Sequence, residues 1–341
     1  MTRPNRELTT LELEEKRLRK AELKEQKHQK YWEGRVRKAK IYKDPEKEQH
    51  AREQLGLLGF SEYDISGAVD DVVHKGKAII QTVYHQLQAY DPSVGKEREY
   101  TCLLKHMRKN TQEKSMFANT DALWGYTRSK FYDRSCIIVT SLAKLKEQDE
   151  PWRDRFAAIR RACAFGSGPG NDAVGLVSFL QSYFSEEFYL DRMVLFDFCM
   201  EDWRKVTDPL CSISSPKDIR QMEACFCDVT KPLQSTENEA VVKECGEMDF
   251  YIINHVLTET HGLWDNFIVE TIHMAKPGAL FYFAEPRPWQ LQHLIRLCGS
   301  QLSFTWLDSS MDHPALQDLG RRVGPAILLG IKEEHCNGDN V

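Results

Sequence analysis

Phe165-Gly166-Ser167-Gly168-Pro169-Gly170-Asn171-Asp172 decides how this chain is read. The stretch joins an apolar run ending at Phe165 to a helix-like run over residues 172–184. Three glycines at alternate positions let the backbone turn sharply and leave room for a ligand against the main chain. A helix that begins just after them aims unpaired N–H groups and a positive dipole end at whatever binds. The dinucleotide fingerprint G-x-G-x-x-G would need its third glycine at position 171, which is Asn171. The pattern is instead G-x-G-x-G, which disfavours a dehydrogenase.

Outward from this loop, residues 151–341 alternate short apolar runs with helical ones. Residues 157–165 read as a short helix running into a strand. Further strand-like runs fall at 193–198, 223–227, 250–253, 279–284, 302–306 and 326–331, with helical segments near 261–275 and 288–298. Such alternation predicts an α/β fold with a mainly parallel sheet covered on both faces. Ligands in these sheets bind at the carboxyl ends of the strands, where the glycine loop falls.

Residues 1–150 have a different texture and read as an α-helical N-terminal extension. Residues 1–60 hold 16 Lys/Arg against 11 Asp/Glu, while the rest of the chain holds 30 against 40. A basic arm over 1–50 on an acidic body suits a polyanion partner such as RNA, and equally suits a solvated charged helix. Thr9 and Glu12 fit a capping box that opens a helix over 9–40. Its thin apolar stripe (Leu11, Leu18, Leu23, Tyr31, Trp32) would dock on a protein partner or on the chain's own body. Ile65, Val69, Val72, Val73, Ile80, Val83 and Leu87 recur at helical spacing over 61–90. Two more helices are expected at 97–109 and 128–147, with a break at Trp124-Gly125 between them. The segment 60–150 is expected to be helical and to fold onto the body of the chain.

With 41% hydrophobic and 28% charged residues, the composition is that of a globular protein. No apolar run approaches membrane-spanning length, and no membrane association is expected. Glu7, Glu12, Glu14 and Glu15 argue against a transit peptide, and ten scattered cysteines read as reduced thiols. Cytoplasm or nucleus is the expected location. Cys225-x-Cys227 has no second pair, and His255, His261 and His273 lack the i, i+4 spacing of a helical metal pair. No metal site is expected.

The glycine loop resembles the first motif of the class I S-adenosylmethionine (SAM)-dependent methyltransferases, and features over residues 155–332 extend the resemblance. Met193-Val194-Leu195-Phe196-Asp197 ends in an acid where the family binds the ribose hydroxyls of SAM; Glu201 and Asp202 are rivals about a turn further on. Phe226-Cys227-Asp228-Val229 places Asp228 where the family meets the adenine amino group, with a helix N-cap or loop acid as the alternative. The stretch 212–217 is expected to add a surface loop. Lys276-Pro277-Gly278 before Leu280-Phe281-Tyr282-Phe283-Ala284-Glu285 is similar to the family's turn into its fifth strand.

The resemblance implies a seven-stranded Rossmann-like methyltransferase sheet and SAM as cofactor. It places Gly166, Ser167, Gly168, Gly170 and Asn171 at the methionine portion, Asp197 with Phe198 at the ribose, Asp228 with Val229 at the adenine, and Asn254 beside them. Tyr126 and Arg128 either cover SAM and hold its carboxylate, or serve as packing and a surface cation. Asn254-His255-Val256-Leu257 stands where aminomethylating relatives carry Asn/Asp-Pro-Pro-Tyr/Phe, so that motif is absent. If the acceptor must lose a proton, His255 or Glu259 is the candidate catalytic base, while His255 equally fits a packing role. The acceptor is undetermined, with a lean to RNA; a small-molecule or protein acceptor, or a non-catalytic scaffold, are the alternatives.

Overall fold

The central apolar runs over 161–165, 250–254 and 280–285 become strands buried on both faces, as a parallel sheet between helices requires. The computed structural model describes residues 67–92, 117–147, 152–184, 188–213, 219–260, 262–308 and 325–333. The basic arm 1–50, the helices expected at 9–40 and 97–109, and residues 214–217 of the expected loop lie outside the described residues. The described residues belong to one compact unit.

The elements follow in order: α1 (Gly67–Gln88), α2 (Thr120–Leu142), α3 (Trp152–Ala157), β1 (Arg161–Phe165), α4 (Asn171–Phe184), β2 (Leu190–Asp197), α5 (Met200–Ile213), β3 (Ile219–Phe226), α6 (Glu239–Cys245), β4 (Phe250–Asn254), α7 (Val256–Glu259), α8 (Asp265–Met274), β5 (Leu280–Glu285), α9 (Pro288–Cys298), β6 (Leu302–Asp308) and β7 (Ala326–Lys332). The seven strands form one sheet in the order β3-β2-β1-β4-β5-β7-β6. β3, β2, β1, β4 and β5 run parallel, and β7 is antiparallel to both of its neighbours. The chain therefore steps outward from β1 to β3, then returns to build β4 and β5 on the other side. That reversal opens a crevice between the carboxyl ends of β1 and β4.

Strand alternation sorts the core into two layers. Ala162, Ala164, Met193, Leu195, Phe250, Ile252, Leu280, Tyr282 and Ala284 join the helices α1, α2, α4 and α5 in one cluster. The residues that alternate with them, Cys163, Phe165, Val194, Phe196, Tyr251, Ile253, Phe281 and Phe283, join α6, α8 and α9 in the other. The second face carries an aromatic ladder, with Tyr251 and Phe281 stacked at 4.2 Å and Phe165 and Phe196 at 5.3 Å. On the first face α2 is tied to the sheet by Ser141 Oγ, 3.0 Å from Tyr282 Oη.

Helix α2 differs from its expected form. It runs unbroken from Thr120, through Trp124-Gly125, to Leu142, and the Asn119 side chain caps it by accepting from Ala122 N–H at 3.0 Å. A helical glycine costs about 1 kcal/mol against alanine, and burial of Leu123, Trp124, Tyr126 and Phe131 offsets that. Helix α5 is a second difference: Met200, Trp203, Val206 and Leu210 bury one face of a helix, and the expected loop at 212–217 begins inside its last turn. Pro209 within α5 hides it from a propensity reading.

Close approach of α2 to α4 rests on Gly175, where a Cβ would lie 2.8 Å from the Ser135 carbonyl and 3.0 Å from Ile138 Cδ1. Gly175→Ala should therefore destabilise the fold by about 1–3 kcal/mol despite alanine's better helix propensity. Urea melts of the two proteins check this; an unchanged or raised midpoint contradicts it.

Candidate functional site

The glycine loop sits where the sheet reverses. Gly166, Gly168 and Gly170 all take positive φ (61°, 50° and 85°), which an L side chain rarely adopts. Two also lack room for a side chain: a Cβ on Gly166 would meet Val256 Cγ2 at 2.5 Å, and one on Gly170 would meet Leu210 Cδ2 at 2.6 Å. Helix α4 starts at Asn171, so its first-turn N–H groups face the crevice without intrahelical partners.

Asp197, at the end of β2, closes the loop from the side. Its Oδ2 accepts from Gly168 N–H at 2.9 Å and its Oδ1 from Cys199 N–H at 2.8 Å. Burial pushes its pKa up to about 6, against the lowering effect of those two bonds. The rivals are placed differently: Glu201 is exposed on α5, and Asp202 pairs with Lys205 at 3.5 Å. One strand over, Asp228 lies two residues past Phe226, the register partner of Asp197. Its Oδ1 accepts from Thr230 N–H and Oγ1 at 2.9 and 2.6 Å, and its backbone is clamped by Asn238. Asp228 Oδ2 takes no hydrogen bond from the described residues. Phe198 packs on Phe226 at 5.8 Å, and Val229 is buried beside Asp228.

Beneath the loop lies a polar network that the sequence did not single out. Asp172 is 1% exposed, and its Oδ1 accepts from Asn171 Nδ2 at 2.8 Å and from Asn254 Nδ2 at 2.9 Å. Asn171 and Asn254 are thus committed to Asp172 through their side chains. The Asn254 amide oxygen is left to face His255 Nδ1 at 2.6 Å, so the neutral imidazole donates from Nδ1 and keeps its lone pair on Nε2. Burial, with Arg134 and Lys130 nearby, holds His255 well below the usual histidine range. His255 has φ 69°, the one positive value at a non-glycine position among the described residues.

Glu285 ends β5 and fixes the turn that carries both candidate bases. Its two oxygens accept from Leu257 N–H at 2.8 Å and Thr258 N–H at 3.1 Å, while Ala284 O accepts from His255 N–H at 2.8 Å. Glu259 is 40% exposed and 3.7 Å from Arg134. Helix α2 roofs this side: Tyr126 packs between Phe117 and Trp203, with Arg134 5.4 Å from its ring centre. Arg128 points elsewhere, pairing with buried Asp91 and accepting from Tyr84 Oη through its carbonyl, which locks α1 to α2. Tyr126 and Arg134 are eight residues apart on one helix face, the signal that could have found Arg134.

The donor and acceptor set fits SAM. Asp197 and Asp228 are carboxylates on adjacent strand ends with acceptor capacity left over, as a ribose diol and an adenine amino group require. Ser167 Oγ is a buried hydroxyl without a hydrogen bond among the described residues, in the loop that would meet the ligand.

Burial also pushes Asp172 up to about 7 and Glu285 up to about 8. An acid whose pKa is raised by folding stays protonated in the folded chain while the unfolded chain ionises from about pH 4 upward, so stability falls as pH rises toward the folded pKa. Asp172→Asn keeps the shape and removes that titration. Its stability relative to wild type should increase between pH 5 and pH 8; a constant difference in urea midpoint across that range refutes the assignment.

No protein-family model matches the sequence, and no curated protein matches it. Solved structures do. An O-methyltransferase family protein from Burkholderia thailandensis aligns over 74% of this chain and 73% of its own, with 14% identity and TM-score 0.44. The carbon methyltransferase CurJ aligns over 74% and 71%, with 11% identity and TM-score 0.41. The plantazolicin methyltransferase BamL, solved with SAH, aligns over 75% and 100%, with 11% identity and TM-score 0.39. No helix of the described residues is long and apolar enough to cross a membrane. With its reversed last strand and its glycine loop at the crevice between β1 and β4, the sheet is the seven-stranded, mainly parallel α/β sheet expected from the sequence.

Proposed function

We propose that this chain binds SAM across the carboxyl ends of β2, β1 and β4 and catalyses methyl transfer to an acceptor. The observation that carries this is the Gly168–Asp197 hydrogen bond at the point where the strand order reverses. It holds an acid beside a glycine turn and a helix N-terminus, the arrangement that binds a nucleoside with a charged tail.

When bound, SAM supplies an electrophilic methyl on a sulfonium. The chain's own task is then to hold, align and exclude water. Asp197 would accept from the ribose hydroxyls and Asp228 Oδ2 from the adenine amino group. The first turn of α4 would hold the amino-acid end. Tyr126, Phe117 and Trp203 form an apolar wall next to Gly168, with Trp203 Cζ2 3.6 Å from where its Cβ would be, and keep water from that side. His255 Nε2 and Glu259 sit on the turn after β4 as proton acceptors for an acceptor that must be deprotonated. A His held below its usual pKa is already neutral at physiological pH, and is a correspondingly weak base.

RNA is the acceptor class we favour, on the sequence evidence of excess positive charge in residues 1–60 alone. A small-molecule or protein acceptor would leave that charge without a role in substrate binding.

Calorimetric titration with SAM tests the cofactor. Asp197→Ala should weaken binding by about 100-fold or more, since charge-assisted hydrogen bonds to two hydroxyls go with it. Asp197→Asn, which retains one acceptor oxygen, should fall between. Absence of binding to the wild-type chain would point to a scaffold that keeps the fold without the reaction. For the acceptor, affinity for a mixed RNA pool should fall steeply with salt and should be lost on removal of residues 1–50. Salt-independent binding, or none, removes the RNA reading.

A further inference from the structure

Three large apolar side chains are exposed among the described residues, Tyr90, Leu263 and Trp289, and two of them share one corner of the molecule. Leu263 ends the turn after α7, which its N–H closes on the Thr260 carbonyl at 3.0 Å with Gly262 at φ 84°. Trp289 stands in the first turn of α9. The residues that follow them lace the two segments together. Trp264 Nε1 donates to Gln290 Oε1 at 3.3 Å, and Asp265 Oδ2 lies 2.9 Å from His293 Nε2. One segment follows the end of β4 through α7, and the other follows the end of β5 through Pro286 and Arg287. The corner therefore lies at the same end of the sheet as the crevice.

Helix α9 buries Gln290, Leu291, Leu294 and Cys298 and turns Trp289, Gln292 and Arg296 outward. Such a helix ordinarily keeps polar residues on its outer face. One exposed apolar residue there would be unremarkable, but Trp289 is 52% exposed and Leu263, on the segment laced to it, is 66% exposed. The polar groups of the corner are also not all used. Gln290 is 1% exposed and spends Oε1 on Trp264, while its Nε2 meets no acceptor. Buried donors are nearly always met by protein, water or a ligand. Exposed Arg287 directly precedes α9, and Lys130 on α2 acts by its charge on His255 at the end of β4. Neither cation has an ion pair with a described residue. The acids on these segments are engaged: Glu285 by the Leu257 and Thr258 N–H groups, Asp265 by His293, and Glu259 by Arg134.

A flat apolar face, a spare amide donor and two free cations match the chemistry of a nucleotide whose base is unstacked. Every base offers a π-face to an indole, and its phosphates offer charge to arginine and lysine. We propose that Trp289, with Leu263, is the platform on which a base of a single-stranded RNA acceptor stacks at the mouth of the crevice, with Arg287 and Lys130 taking its phosphates. This rests on the RNA reading above and adds a contact of a different kind. The positive charge of residues 1–60 binds phosphate whether or not the bases are paired. Stacking on Trp289 needs an open base face, so the platform selects single strands, loops and ends over duplex.

Fluorescence anisotropy on the full chain tests the platform with two probes, a labelled mixed-sequence RNA strand of about 20 nucleotides and the same strand annealed to its complement. Trp289→Ala should weaken the single strand by about tenfold and leave the duplex within about twofold. Trp289→Phe, which keeps a ring, should stay within about threefold of wild type on both. Arg287→Gln should lower the slope of log affinity against log salt by about 0.7 on the single strand, and the Trp289 variants should leave that slope unchanged. Equal loss of both probes in Trp289→Ala would mean that the residue only supports the surface, and would overturn the platform. So would unchanged affinity for the single strand. Self-association of the wild type in sedimentation that Trp289→Ala abolishes, with RNA affinity kept, would give the corner to a second copy of the chain and equally overturn it. Failure of wild type to bind either RNA removes the RNA reading itself, a result distinct from the others. Thermal melts of each variant confirm that a folded protein is being titrated.

Discussion

The arrangement depends on one carboxylate shared between two turns. Asp197 reaches back to Gly168 with one oxygen and forward to Cys199 with the other. The first bond holds the glycine loop in its positive-φ form, and the second starts the descent into α5. Helix α5 in turn supplies Leu210, which packs so close to Gly170 that no side chain fits there. Loop, strand end and helix thus constrain one another. The hydrogen-bonding capacity left on Asp197 is what remains for a ligand.

Helix α2 does two jobs that usually fall to different elements. One side of it belongs to the core, through Ile138, Val139 and Leu142 and the Ser141–Tyr282 contact. The other presents Tyr126 and Arg134 to the strand ends. Its seat on α4 is set by the bare backbone at Gly175 and by the Ser135 hydroxyl, which donates to the Asn171 carbonyl at 2.9 Å. That bond places the roof helix against the first residue of the helix that follows the glycine loop. A ligand that draws on the start of α4 therefore meets a rigid pair.

Much of this fold is legible in the sequence because parallel strands buried on both faces are continuous apolar runs, as in residues 250–253 and 279–284. β3 begins four residues earlier than its apolar stretch, at Ile219, since an edge strand can carry exposed Arg220 and Gln221. α5 and the unbroken α2 were not legible: Pro209 and Gly125 are strong local signals that tertiary burial overrides. Within the site, the glycines and Asp197 announce themselves by spacing. Arg134 offers only its spacing from Tyr126, because Glu259, the acid it faces, lies 125 residues away in the chain. Asp172 and Glu285 are silent, since an acid's burial depends on what packs over it and not on its neighbours in sequence.

The place of β7 bears on how the protein comes off the ribosome. The last strand of the sheet is not an edge: Ala326–Lys332 slots between β5 and β6, both made earlier. Until those residues emerge, two strands present unpaired backbone edges toward a gap. Synthesis at about 5–20 residues per second leaves the β5 edge open for about 2–10 s. Open edges of this kind invite pairing with other chains. The vulnerable interval of this protein is therefore the one between the synthesis of β5 and that of β7, when the crevice at the ends of β1 and β4 is already complete.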